Sequence, residues 1–222
     1  MVSELLGDCE DGDCSTNLCY NCAMGSPKTQ NNEPVLKLEK IAPEVYRSLQ
    51  DLKRTGWVNW EVENPESVKE HTEALVKLAE ELIPFLTEDE IEGLVDMLEV
   101  HDWPEAIHGD EVILELNPND RKALKEAKFE NERKALAKIC ADIPGGEEIM
   151  ALWLRFENSN DPAAEFGRQL DKYQAVEKAL EYEQTQGIAL FDEFLTYSIN
   201  FIHHPVLLQR IEQLKIKWGG KF

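Results

Sequence analysis

From Val35 onward, apolar residues recur at intervals of three and four, and scarcely any run alternates as a half-buried strand would. "VLKLEKIAPEVYRSLQDLKRTGW" already carries that helical period. In "NPESVKEHTEALVKLAEELIPFL", Ser67 with Glu70 three residues later is a capping box, and Val68, Leu75, Leu78, Ala79, Leu82 and Ile83 form the apolar stripe behind it. Thr87 and Glu90 form a second box at the head of "EDEIEGLVDMLEVHD". Proline lacks the amide proton that an interior turn needs, so Pro104 should end that helix just after Asp102. "NDRKALKEAKFENERKALAKICADIPGG" reads as a charged helix stopped by Pro144 and two glycines, and "EEIMALWLRFEN" follows as another. Asp161 before Pro162 is an N-cap with proline at the first helical position, opening "AAEFGRQLDKYQAVEKALEYEQ". "ALFDEFLTYSINFI" and "PVLLQRIEQLKIKW" close the chain. The pattern predicts an all-α bundle of about six to eight helices.

Composition divides the chain at its start. Four of the five cysteines, Cys9, Cys14, Cys19 and Cys22, sit in "CEDGDCSTNLCYNC", which runs into the polar, turn-rich "GSPKTQNNEP". The spacing of the last three resembles part of an iron–sulfur pattern, but the distant fourth cysteine and surrounding sheet of such sites are missing. Residues 1–35 are therefore expected to be a loosely ordered acidic tail with reduced thiols, a zinc knot on Cys19, Cys22 and two of the others being the alternative, and residues 36–222 a single helical domain.

Charge narrows the partners. With 23 basic against 44 acidic residues the formal charge is -21, a field that repels nucleic acid polymers and anionic membrane surfaces. No apolar run is long enough to span a bilayer, and the start lacks the basic and apolar regions of a secretory signal, so a cytoplasmic location is expected. Small phosphorylated molecules stay admissible, because a local cation dominates within a Debye length of about 8–10 Å.

Candidate chemistry gathers in "LEVHDWPEAIHGD". His71 lies one turn into its helix beside the apolar stripe, while His101 and Asp102 stand at the end of theirs. Asp171 falls mid-helix among Phe166, Leu170, Val176 and Leu180, where a carboxylate is desolvated unless a cation compensates. Two imidazoles and two carboxylates suit one divalent ion, whose charge the two aspartates cancel. Manganese, cobalt, iron, magnesium and zinc all tolerate that donor set.

The order H…HD…D, together with "LKRTGWV", "NPESVKEH", "HDWPEAIHGD" and "QLDKYQAVEKALEYE", resembles the HD-domain metal-dependent phosphohydrolases, in the branch that contains the 5'-deoxynucleotidases. The likeness runs from Leu36 to Leu214. It implies that His71, His101, Asp102 and Asp171 hold one metal ion. Glu105 would orient the attacking water or manage the proton at the leaving oxygen, with Asp102 as a further aid to deprotonation. The same resemblance assigns Arg54 to the phosphate, Trp57 to a wall near the sugar and Asp110 to the sugar 3'-hydroxyl. After "GD" this chain departs from relatives that carry a proline-rich turn, having "GDEVILELNPND" instead. The implied reaction is hydrolysis of a 2'-deoxynucleoside 5'-monophosphate. Alternatives are hydrolysis of another phosphoester and a non-catalytic metal- or nucleotide-binding module. Such proteins commonly form homodimers, for which Trp153, Phe156, Phe191, Phe194 and Tyr197 are candidate aromatic surface. His203 and His204, at a helix boundary, are read as a cap and a surface residue rather than ligands.

Overall fold

The computed structural model describes residues 38–113 and 117–219. The cysteine tail, and with it Cys9, Cys14, Cys19 and Cys22, lies outside the described residues. In chain order the helices are α1 (Leu38–Ile41), α2 (Pro43–Asp51), α3 (Thr55–Asn59), α4 (Val68–Leu82), α5 (Glu88–Ile91), α6 (Leu94–Val100) and α7 (Glu105–His108), followed by α8 (Pro118–Cys140), α9 (Gly146–Asn158), α10 (Pro162–Gln186), α11 (Phe191–Ser198) and α12 (Pro205–Trp218). Among the described residues the only β-pairing is an isolated antiparallel bridge between Lys53 and Ser67. No helix among them is long and apolar enough to cross a membrane.

Local signals place the helix starts. Ser67 Oγ accepts from the Glu70 amide at 3.1 Å, and Glu70 Oε2 accepts from the Ser67 amide at 2.7 Å, closing the capping box of α4. Glu90 Oε2 takes the Thr87 amide at 2.7 Å at the head of α5. Asp161 Oδ1 caps α10 through the Ala164 amide at 3.0 Å, and Arg155 Nε and Nη2 grip the same carboxylate at 3.0 and 2.9 Å. That fork joins the end of α9 to the start of α10.

The long helix α10 is the spine. Leu170, Tyr173, Val176 and Leu180 are buried against Leu75, Leu78 and Leu82 of α4, Leu94, Met97 and Leu98 of α6, and Leu207, Ile211 and Leu214 of α12. A second cluster joins Val68, Val100 and Trp103 to Leu136 of α8 and Ile149 and Trp153 of α9. The aromatic residues considered as interface surface divide accordingly. Trp153, Phe156 and Phe191 are core residues, Phe194 packs half-buried against the core, and Tyr197 alone of the five is exposed. Their apolar area is spent on folding, which corrects the expectation that they form one surface.

The break before Pro104 comes slightly earlier than expected. Helix α6 ends at Val100, and His101 to Pro104 form a tight turn with Trp103 N bonded to the Val100 carbonyl at 3.1 Å and Glu105 N to the Asp102 carbonyl at 3.1 Å. These three-residue steps tighten the backbone ahead of the proline.

The junction between α8 and α9 is equally tight. A methyl group on Gly146 would collide with the carbonyl oxygen of Cys140. Backbone cannot yield as a flexible side chain does, so Gly146→Ala is expected to destabilise by about 1–3 kcal/mol. A thermal melt should show Tm lower by roughly 3–10 °C. An unchanged Tm would show that the junction relaxes freely.

Candidate metal centre

Three elements meet between the two large clusters: the first turn of α4, the turn after α6 and the middle of α10. Each delivers a donor group that its local sequence orients. His71 is 0% exposed, and its Nδ1 lies 2.9 Å from Gln174 Oε1. His101 is also buried, and its Nδ1 lies 2.6 Å from the Leu98 carbonyl oxygen. Both partners only accept, so each neutral ring carries its proton on Nδ1 and leaves the Nε2 lone pair free. Both Nε2 atoms are buried without an aligned hydrogen-bond partner.

The carboxylates face those two nitrogens. Asp171 Oδ1 lies 3.2 Å from His71 Nε2. Asp102 Oδ2 lies 3.1 Å from His101 Nε2 and 3.7 Å from His71 Nε2. One donor atom each from His71, His101 and Asp171 falls within 4.8 Å of the others. Two orphaned imidazole nitrogens beside two carboxylates, with both rings pinned from behind, are the arrangement that a divalent ion requires. The residues present fit one such ion.

Electrostatics keep the two carboxylates charged, as ligation needs. Burial disfavours the Asp102 carboxylate, but His101, Arg54 and His71 outweigh it and hold the pKa below the usual range. Burial likewise opposes ionisation of Asp171, yet Lys172, His71 and His101 hold its pKa well below the ordinary value. Burial works against charge on His101 too, and Asp102 and Asp171 overcome it, so the imidazole pKa is raised. A proton therefore competes with a cation for His101 Nε2.

Around this centre stand the other residues singled out by sequence. Arg54 is the residue before α3, with Nη1 2.8 Å from Asp102 Oδ2 and Nε 3.8 Å from Asp110 Oδ2. Burial lowers its pKa, but Asp102, Glu105, Asp110 and Asp171 raise it more, so it stays a cation. Asp110 is part of the scaffold of α3: its Oδ2 accepts the Thr55 amide at 2.7 Å, and its carbonyl accepts the Thr55 hydroxyl at 2.6 Å. Glu105, 5% exposed, has Oε2 buried without a partner. Burial, then the charges of Asp102 and Asp110, push its pKa well above the carboxylate range.

Trp57 sits differently. It is 3% exposed, stacks on Phe194 at 4.5 Å and 22°, and meets Tyr182 edge-on at 5.2 Å. Its Nε1 donates to Glu66 Oε1 at 2.9 Å, so its polar edge faces the interior behind the metal centre. The remaining histidines pair elsewhere: His108 with Glu111 at 3.1 Å, His203 with Glu165 at 2.8 Å and His204 with Glu90 at 3.1 Å. His204 is the residue before α12 but makes no side-chain cap.

Three participants were not picked out in the sequence. Lys172 Nζ lies 2.7 Å from Asp171 Oδ2 with its side chain 40% exposed, adding a cation at the edge of the centre. Gln174 and Glu66 lie buried behind His71. Adjacency to Asp171 was the one available signal for Lys172, and three-residue helical spacing the one for Gln174.

Comparison with known proteins agrees with this architecture. The family model described as "HD domain" matches residues 46–205, well over half of the chain. A 5'-deoxynucleotidase HDDC2 from Dictyostelium discoideum is 32% identical over 179 residues, covering 75% of this chain and 91% of that protein. The human 5'-deoxynucleotidase HDDC2 is 28% identical over 172 residues, covering 75% of this chain and 79% of its own. Among solved structures, a conserved hypothetical protein from Pyrococcus furiosus superposes with a TM-score of 0.60 at 26% identity, over 77% of this chain and 95% of the other. With the fold of a metal-dependent phosphohydrolase and a His/His/Asp cluster at its centre, the chain belongs to the HD-domain family, in the branch homologous to the 5'-deoxynucleotidases.

Proposed function

We propose that the protein hydrolyses 2'-deoxynucleoside 5'-monophosphates to deoxynucleoside and phosphate with one divalent ion. The observation that carries this reading is the pair of buried, unpartnered Nε2 atoms of His71 and His101 facing Asp171 and Asp102. The 5'-deoxynucleotidase names of the relatives support the substrate class.

His71, His101, Asp102 and Asp171 would hold the ion. When bound, it supplies Lewis acidity toward a phosphoryl oxygen and toward the attacking water. Arg54, whose guanidinium has five donors, uses those that Asp102 does not occupy to bind phosphate oxygens. Lys172 adds a second cation at the same edge. Glu105, kept protonated by its buried and negative surroundings, gives its proton to the leaving 5'-oxygen. Asp102 is held ionised by its cationic neighbours and takes part in accepting the proton of the attacking water. Asp110 commits Oδ2 to the Thr55 amide and offers Oδ1 to the sugar 3'-hydroxyl. Trp57 is a buried wall whose backbone amide donates to the Arg54 carbonyl oxygen. The setting we propose is a cytoplasmic homodimer, for which the exposed ring pair of Tyr197 and Phe201, 5.7 Å apart, offers apolar surface.

Phosphate release from a panel of deoxy- and ribonucleoside mono- and triphosphates at fixed manganese tests the reading. The expected result is fastest turnover of deoxynucleoside monophosphates, because two cations match one phosphoryl group better than a chain of three. Faster release from triphosphates would reject it.

A further inference from the structure

We propose that Gln174 sets the protonation pattern of His71 for metal binding, and that Glu66, anchored by Trp57, dictates which way the Gln174 amide faces. This rests on the metal-centre reading above and gives the buried groups behind it a task.

Gln174 is 4% exposed and Glu66 6% exposed, so neither has bulk water as an alternative partner. Gln174 Oε1 lies 2.9 Å from His71 Nδ1, and its Nε2 lies 3.4 Å from Glu66 Oε2. Glu66 is held from two further sides. Its Oε1 accepts from Trp57 Nε1 at 2.9 Å, and its amide donates to the Tyr182 hydroxyl at 2.8 Å. The nearest oxygen of Glu66 to His71 Nδ1 is 4.0 Å away, beyond hydrogen-bonding reach, so Gln174 is the group that addresses the ring.

The hydrogen-bonding roles then follow one another. A carboxylate only accepts, so it draws the NH2 side of Gln174 toward itself. Turning the amide over would set its oxygen against the carboxylate oxygen, two acceptors with no proton between them. The amide oxygen therefore faces His71, and Nδ1 must donate to it. With that proton on Nδ1, the Nε2 lone pair points toward Asp171. Helix α10 thus supplies one ligand, Asp171, and three residues later the group that readies another ligand on α4. Trp57, 3% exposed, is at the far end of this relay.

The relay can be inverted with little change of volume. In Glu66→Gln, Trp57 Nε1 still requires an acceptor, so the new amide places its oxygen there and its NH2 toward Gln174. Gln174 answers by presenting its own oxygen to residue 66 and its NH2 to His71 Nδ1. The ring proton moves to Nε2, where a metal must bind. The double variant Glu66→Gln with Gln174→Glu restores an acceptor facing His71 and conserves the net charge.

The test is calorimetric titration of the metal-free full-length protein with Mn2+. Glu66→Gln is expected to bind about ten- to a hundred-fold more weakly, and the double variant to return within about three-fold of the natural protein. Far-UV circular dichroism and thermal melts accompany each protein. Should Glu66→Gln fail to fold, Gln174→Met takes its place with the same expected loss. A loss below about three-fold in the single variant, or a double variant that does not recover, overturns the relay. His71→Asn is the control. If it binds Mn2+ as the natural protein does, the metal-centre reading fails; if it loses binding while the single variant does not, only the relay fails.

Discussion

Glu105→Gln should lower kcat by about a hundred- to ten-thousand-fold while Mn2+ still binds, because it removes the proposed proton donor and leaves the four proposed ligands in place. Glutamine keeps the volume and a hydrogen-bonding head, so the 5%-exposed position remains filled. The same substitution should act on stability with the opposite sign. Burial, Asp102 and Asp110 raise the pKa of the Glu105 carboxyl above its ordinary value of 4.5. The folded metal-free protein thus holds this proton more tightly than the unfolded chain does. The stability associated with that proton is complete below about pH 4.5 and is lost as pH rises through the folded-state pKa. Glutamine has no proton to lose. The metal-free variant should therefore gain stability over the natural protein progressively from acid to neutral pH, with no gain at the acid end. Thermal melts across pH, beside steady-state kinetics, measure both effects. A variant with undiminished kcat would remove Glu105 from the chemistry, and a stability difference independent of pH would remove the buried charge as its cause.

The chain announced its helices clearly and its site in part. Capping at Ser67 and Asp161 is local chemistry, so a short window of sequence contains everything that decides it. His71 and Asp171 stood out as polar groups beside or within apolar stripes, and the order H…HD…D, through its likeness to the HD-domain family, joined them to His101 and Asp102. What stayed hidden depends on orientation across elements. Nothing in the local sequence ties Asp110 to α3, yet its Oδ2 caps that helix, 55 residues earlier in the chain, through the Thr55 amide. Trp153 and Phe191 carry the same periodicity whether a neighbour or solvent covers them, and only the packing of α9 and α11 shows that they are core. Gln174 carries no such local mark, because its two partners come from the chain 103 and 108 positions away.

Asp171→Ala is expected to abolish Mn2+ binding and reduce phosphate release by about a thousand-fold or more, since it removes the group on which the Lewis acid depends. The loss should exceed that of a ligand deletion with no other consequence. Lys172 Nζ lies 2.7 Å from the deleted carboxylate, and its ammonium would lose that ion-pair partner at the edge of the centre. The centre would then repel a dication as well as lack a donor. Asp102 cannot take over, because in this reading it already serves as a ligand in its own right, with Arg54 2.8 Å from its Oδ2. Binding to the folded state also stabilises it: Mn2+ at about a hundred times Kd contributes about 2.7 kcal/mol. In a chain of this size that corresponds to a Tm increase of roughly 5–10 °C. The natural protein should show this increase and Asp171→Ala none, although both should melt cooperatively without metal. Acid should shrink the natural protein's response, because Asp102 and Asp171 raise the pKa of His101 and a proton takes the ligand nitrogen as pH falls through it. A full Mn2+-induced shift in Asp171→Ala would mean that the ion binds elsewhere, and the hydrolytic reading of α4, the turn after α6 and α10 would fall with it.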